Sequence, residues 1–221
     1  MHFANPLGGY GCIMPVKELA ALAHSRNVLC FVDGAHATGM FQVSLRDWNV
    51  DGFACNSHKW LCGAAGAGVL FVKREVQERV WPVMGIWRNE PEGARKYDQL
   101  SRRPWPTVMA FEDIIDFHNA IGGARIEARA RALGDHLRSG LAAIPKVKIY
   151  TPMDAKMSCG TTTAGIEGVP GARIREYLRQ KYDAYVPGGA DRIRVSTQYF
   201  NSFEHVERVL SAYRDLASGA A

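Results

Sequence analysis

Two short stretches carry the residues best suited to chemistry. Asn56-Ser57-His58-Lys59-Trp60 follows the apolar run Gly52-Phe53-Ala54-Cys55 and precedes a Gly-rich segment, Gly63 to Gly68, that leads into Val69-Leu70-Phe71-Val72. The pattern predicts a turn between two short buried strands, with Lys59 in the turn. An isolated loop lysine is usually just solvated. A lysine in this setting is instead held against an anion, or partly desolvated so that its amine becomes nucleophilic. The second stretch, Val32-Asp33-Gly34-Ala35-His36-Ala37, ends another apolar run in a carboxylate, with a histidine three residues on. Asp33, His36 and Lys59 then converge on one crevice.

Three chemistries use such a set. A metal could recruit Asp33, His36 and His58, but the spacing matches no metal-ligand signature and leaves Lys59 idle. A general-base lysine served by an Asp and His relay is possible but unspecific. A Schiff-base lysine holding a pyridoxal cofactor, with an aspartate paired to the protonated pyridinium nitrogen, gives every residue a task.

The elements that must position these residues read as alternating strands and helices. A helix is predicted over Pro15 to His24, with Pro at its first turn. A continuously apolar strand follows over Val28 to Val32, then Gly52 to Cys55 and Gly68 to Val72. Strands joined by helical connections imply an α/β sheet, whose ligands collect at the carboxyl ends of the strands, where Asp33 and Lys59 lie. A helix is expected over Val76 to Val80, and Trp87 to Pro106 is irregular. Helical periodicity runs from Thr107 to Ile121 and from Ala124 to Ala143. The remainder alternates: strands at Val147 to Tyr150, Thr161 to Ile166 and Arg192 to Thr197, and helices at Ala172 to Tyr182 and Ser202 to Ala217, the last capped by Asn201 or Ser202. His2 to Gly11 is Gly/Pro-rich and shows no period.

Composition narrows the class. A chain of 221 residues, 47% apolar, can bury a full core in one or two domains. The net charge of +5 is mild, and its basic residues are interleaved with acidic ones on helix faces, without the stacking aromatics of a nucleic-acid surface. An acidic or phosphorylated small ligand suits the same excess. The five cysteines form no CxxC pair, which fits a reduced, intracellular protein. No apolar run is long enough to span a membrane, and no signal-peptide pattern follows Met1. The expectation is a cytoplasmic protein with neither a nucleic-acid nor a membrane partner.

The segment from Val32 to Val72 resembles the centre of the class V aminotransferase family, fold-type I pyridoxal-phosphate enzymes that include cysteine desulfurases, kynureninase and isopenicillin N epimerase-like proteins. Asp33-Gly34-Ala35-His36 is similar to the family's D-x-A-[QH] segment, His58-Lys59-Trp60 to its HKW motif, and Gly63 to Gly68 to its G-P-x-G-x-G turn. The resemblance extends from Asn5 to the C-terminal helix. It implies an α/β fold: the C-terminal part of a fold-type I large domain, with a mostly parallel sheet, then a small α+β domain. The corresponding division is 1–106 for the partial cofactor-binding domain, 107–143 for connecting helices and 144–221 for the small domain.

Carried over by position, the resemblance implies pyridoxal 5'-phosphate joined to Lys59, which then shuttles the Cα proton of an amino-acid substrate, while Asp33 holds the ring nitrogen. His36, where many members carry Gln, would hydrogen-bond at or near the phenolic oxygen, which Asn5 would also reach. Asn56, Ser57 and His58 form the phosphate-side motif, Asn56 standing where desulfurases have Ser. Ser101, in a run resembling the G-T-R segment, would reach the phosphate of a partner subunit, implying a homodimer with the site at its interface. Arg194, in Ile193-Arg194-Val195-Ser196, would bind the substrate carboxylate.

Departures sharpen the expectation. Ala64 replaces the proline of the Gly turn, and Leu100 replaces the glycine of the G-T-R segment. The segment from Tyr185 to Arg192 is too short for a desulfurase's Cys-bearing loop and holds no cysteine. The expected reaction is therefore lyase or epimerase-like, with aminotransferase next and persulfide-forming desulfurase last. Family members also carry a long segment before the position of Met1, so the sequence reads as a fragment of a longer enzyme. The alternative is a non-catalytic relic or partner subunit that keeps the motifs.

Overall fold

The computed structural model describes residues 1–83, 93–98 and 104–219. Contacts divide the chain into two units. The first comprises Met1–Ala4, Pro15–Thr38 and Val43–Ala120; the second comprises Asn5–Met14, Gly39–Gln42 and Ile121–Ala221.

The first unit is built on a four-stranded sheet in the order β1 (His2–Ala4), β2 (Phe31–Asp33), β3 (Gly52–Asn56), β4 (Gly68–Val72). The first three strands are parallel, in register Ala4↔Asp33 and Asp33↔Ala54. Helix α1 (Val16–Ser25) buries Val16, Ala20 and Ala23, the i, i+4, i+7 stripe of an amphipathic helix. Between β2 and β3 runs the single turn α2 (Leu45–Trp48), capped by the Ser44 hydroxyl accepting from Asp47 N at 3.2 Å. The buried Asp51 fastens this layer, its Oδ2 accepting from Cys30 N at 2.7 Å and lying 2.8 Å from His24 Nε2.

Several sequence expectations change here. β1 was hidden by the surrounding Gly and Pro; it forms because the edge of β2 offers it a parallel ladder. The expected strand Val28 to Val32 shortens to Phe31–Asp33. The lysine turn does not join two buried strands. β4 is antiparallel to β3, and on this outer strand Val69 is 45% and Leu70 54% exposed. Apolar sequence thus marked the strand correctly but overstated its cover among the described residues. The helix expected near Val76 is a 3-10 stretch, Arg74–Arg79. Helix α3 (Trp105–Ile121) begins earlier than expected, and its one buried residue among those described is His118.

The helices and strands of the second unit run α4 (Gly123–Ala142), β5 (Val147–Ile149), β6 (Thr161–Ile166), α5 (Gly171–Tyr182), β7 (Ile193–Ser196) and α6 (Phe203–Ser218). Its three strands form an antiparallel sheet in the order β5-β6-β7, and every residue of β6 is buried. Leu133, Leu137 and Leu141 of α4 pack with Ile174 and Leu178 of α5 and Val206, Leu210 and Tyr213 of α6. Each fully buried leucine contributes roughly 1.5–3 kcal/mol. The Tyr213 hydroxyl, deep in this core, donates to Ala164 O at 2.9 Å. Ser202 caps α6 in a reciprocal box with His205. Arg138, also fully buried, donates to Cys159 O at 2.8 Å and Thr162 Oγ1 at 3.1 Å, tying the segment before β6 to α4.

Candidate active site

Parallel pairing fixes where the two chemical stretches emerge. Asp33 closes β2 opposite Ala54 of β3, and Gly34 N continues the ladder to Ala54 O at 2.8 Å. The chain then turns, Ala37 N donating to Gly34 O at 2.9 Å, and Asp33 Oδ1 accepts from Ala35 N at 3.0 Å. The half-buried carboxylate is therefore anchored at the carboxyl end of an inner strand and keeps further lone pairs for a cationic partner. Gly34 is required by this packing: a Cβ there would fall inside the ring of Phe53 on β3.

Leaving β3 at the same end, the chain enters the turn that carries Lys59. Its frame is backbone: Ser57 N to Ala67 O at 3.1 Å, Gly63 N to Ser57 O at 2.7 Å, and Cys62 N to Lys59 O at 3.1 Å. Ser57 is buried, and its hydroxyl bonds to Ala64 O and, at 3.2 Å, to Ala67 O. The hydroxyl thus braces the turn from within. His58 is exposed and Lys59 half-buried.

Two side chains join this turn to its surroundings. Trp60, 3% exposed, donates its indole N–H to His36 Nδ1 at 3.3 Å, bridging the Asp33 and Lys59 turns directly. His118 of α3 donates Nε2–H to Leu61 O at 3.0 Å. Burial lowers the His118 pKa from its ordinary value, partly offset by the bond to Leu61. Two buried polar atoms that have no hydrogen-bond partner among the described residues flank the pair of turns: Thr38 Oγ1 after the Asp33 turn and Asn56 Oδ1 before the Lys59 turn.

Asn5 and Arg194 belong to the second unit. Asn5 is fully buried, its Oδ1 accepting from Met14 N at 2.9 Å while Nδ2 has no partner among the described residues. The half-buried Arg194 donates Nη1 to Gly8 O at 3.0 Å, and its Nε is buried unpartnered. Ser101 lies outside the described residues. Within the first unit, then, Asp33, His36, Asn56, Ser57, His58 and Lys59 occupy two neighbouring strand ends and the turns that follow them.

Sequence reasoning gave no role to Trp60, Thr38 or His118. Trp60 stood inside a quoted motif, so its position was in view; its partner was not. His118 carried no local signal, because what singles it out is a carbonyl far away in the chain.

Three other features bear on function. Among the described residues, no group of three or more His, Cys, Asp and Glu could hold a metal ion, and no helix is long and apolar enough to cross a membrane. A cleft of about 640 Å³ lies in the second unit around Lys148, Tyr150, Glu167 and Asp191 and includes no candidate residue.

The family model for aminotransferase class-V matches residues 1–209. Isopenicillin N epimerase of Streptomyces clavuligerus is 29% identical over 95% of this chain and 58% of its own length. Among solved structures, an apo cysteine desulfurase from Thermococcus onnurineus NA1 superimposes with a TM-score of 0.87 at 21% identity, over 99% of this chain and 60% of that one. A variant of C-DES with glycine covalently linked to its PLP cofactor gives 0.84 at 20% identity, over 97% of this chain and 60% of that one. The chain spans about three-fifths of the length of these relatives.

Proposed function

The chain belongs to the aminotransferase class-V family, and from that premise we propose that it serves a pyridoxal 5'-phosphate-dependent enzyme acting at the Cα of an amino acid. One observation carries the reading: the Asp33 turn and the Lys59 turn leave the same end of adjacent parallel strands, with Thr38 Oγ1 and Asn56 Oδ1 buried and unpartnered beside them. Buried polar atoms are nearly always satisfied, so two orphans flanking a carboxylate and a lysine suit a polar ligand. The residue set fits this cofactor: a carboxylate for a protonated ring nitrogen, an amine for a carbonyl carbon, and, for a phosphate, an exposed histidine and the Nδ2 amide donor of Asn56, whose Oδ1 is left to accept from another group.

When bound, the cofactor supplies an electron sink for the pair left at Cα on deprotonation. Lys59 would hold it through Nζ and would serve as the base for the Cα proton. Asp33 keeps the ring nitrogen protonated. His36 donates toward the phenolic oxygen, and Asn56 and His58 contact the phosphate. Ser57 maintains the turn beneath them. Arg194 is assigned the substrate carboxylate, for which a fork of N–H donors is suited, Asn5 the phenolic oxygen, and Ser101 the phosphate held by a second copy in a homodimer.

A lyase or epimerase-like outcome is favoured over aminotransfer. Persulfide chemistry is placed last because the segment from Tyr185 to Arg192 holds no cysteine; Cys159 is 1% exposed with its pKa pushed up by burial to about 11, and the exposed Cys62 lies in the Lys59 turn rather than in that segment. The test is solvent exchange. The protein with added pyridoxal phosphate is incubated with single amino acids in deuterated water, and loss of the Cα proton is followed by NMR. Exchange that disappears in Lys59→Ala supports the reading, and the product separates inversion from β-elimination. Equal exchange in both proteins, or none with any amino acid, overturns it.

A further inference from the structure

We propose that Trp60 is a positioning residue that fixes His36 as the tautomer protonated on Nε2. An indole N–H can only donate. Trp60 Nε1 lies 3.3 Å from His36 Nδ1, so that ring nitrogen must offer its lone pair. The assignment is therefore free of the ambiguity that attends most histidine contacts, where either partner could carry the proton. In neutral imidazole the remaining proton then sits on Nε2.

The geometry is enforced from both sides. Trp60 is 3% exposed, and its backbone belongs to a turn pinned at Ser57, Leu61 and Gly63. A buried indole that lost this acceptor would leave a polar N–H unsatisfied. On the other side, His36 rides on the turn anchored by Gly34 N to Ala54 O and by Asp33 Oδ1 to Ala35 N. The Trp60 bond thus sets which ring nitrogen is a donor, as a carboxylate or carbonyl does for metal-bound or catalytic histidines. An Nε2–H donor suits an anionic oxygen such as a phenolate. That use of the donor rests on the pyridoxal reading; the tautomer itself does not.

The test is the ring-nitrogen NMR spectrum of histidine-labelled protein without cofactor, with His36 assigned by its loss in His36→Leu. The expected wild-type pattern is unprotonated Nδ1 and protonated Nε2. In Trp60→Phe, which keeps an aromatic ring and removes the N–H, the single-tautomer signature should give way to a mixture. His36→Leu should also move the Trp60 indole proton resonance upfield, a readout that survives if Trp60→Phe folds poorly. A wild-type His36 protonated on Nδ1, a tautomer unchanged in folded Trp60→Phe, or an indole resonance indifferent to His36→Leu would each overturn the proposal. Retention of added pyridoxal phosphate is measured separately: its failure strikes the pyridoxal reading and leaves the Trp60–His36 result standing.

Discussion

His118 Nε2 lies 3.0 Å from the carbonyl oxygen of Leu61, two residues beyond Lys59. A ring on α3 thereby holds the backbone of the turn that bears the candidate nucleophile. Leu61 is itself buried, so removing the donor strands a carbonyl away from water, which costs roughly 1–3 kcal/mol. His118→Phe is predicted to lose about that much stability in urea unfolding and to weaken pyridoxal phosphate retention, while His118→Gln, which keeps a donor, should recover part of both.

Burial of the same ring makes stability depend on pH. Burial lowers the folded-state pKa of His118 below its ordinary 6.5, so between the two values the unfolded chain binds the extra proton. The contribution is complete above pH ~6.5 and is lost as pH falls toward the depressed folded value. The urea midpoint of the wild type should drop more steeply between pH 7 and 5 than that of His118→Gln. Parallel slopes would remove His118 from the account.

Gly34 tests the packing beneath Asp33. In Gly34→Ala the new methyl meets the Phe53 ring, and strain of this kind costs typically 1–3 kcal/mol. Phe53→Leu alone is also expected to destabilise. The double variant should recover part of the combined loss, with a coupling of roughly 0.5–3 kcal/mol in a double-mutant cycle.

Thiol chemistry separates the cysteines. Cys62 is exposed, whereas Cys159 is buried with a pKa near 11. Alkylation of the native protein at pH 8 should modify Cys62 rapidly and Cys159 only after denaturant is added, as read by peptide mass spectrometry.

Much of the frame was legible in the sequence for physical reasons. The β6 span, rich in the β-branched residues Thr161, Thr162, Thr163 and Ile166, and the start of α6, narrowed to a cap at Asn201 or Ser202 and set by the structure at Ser202, are local signals. Asp33 and Lys59 were placed at the ends of neighbouring strands, since turn residues interrupt apolar runs there. What escaped was non-local. β1 needs the edge of β2 to exist, the exposure of Val69 and Leu70 depends on what covers β4, and the partners of Trp60 and His118 lie 24 and 57 residues away.

The most direct test of the central claim is to add pyridoxal phosphate to the protein, reduce with borohydride, digest, and locate any pyridoxyl group by mass spectrometry. The account predicts a single modified lysine, Lys59, with the modification abolished in Lys59→Ala. Label spread over surface lysines, or on none, would contradict the assignment of Lys59 as the residue that holds the cofactor.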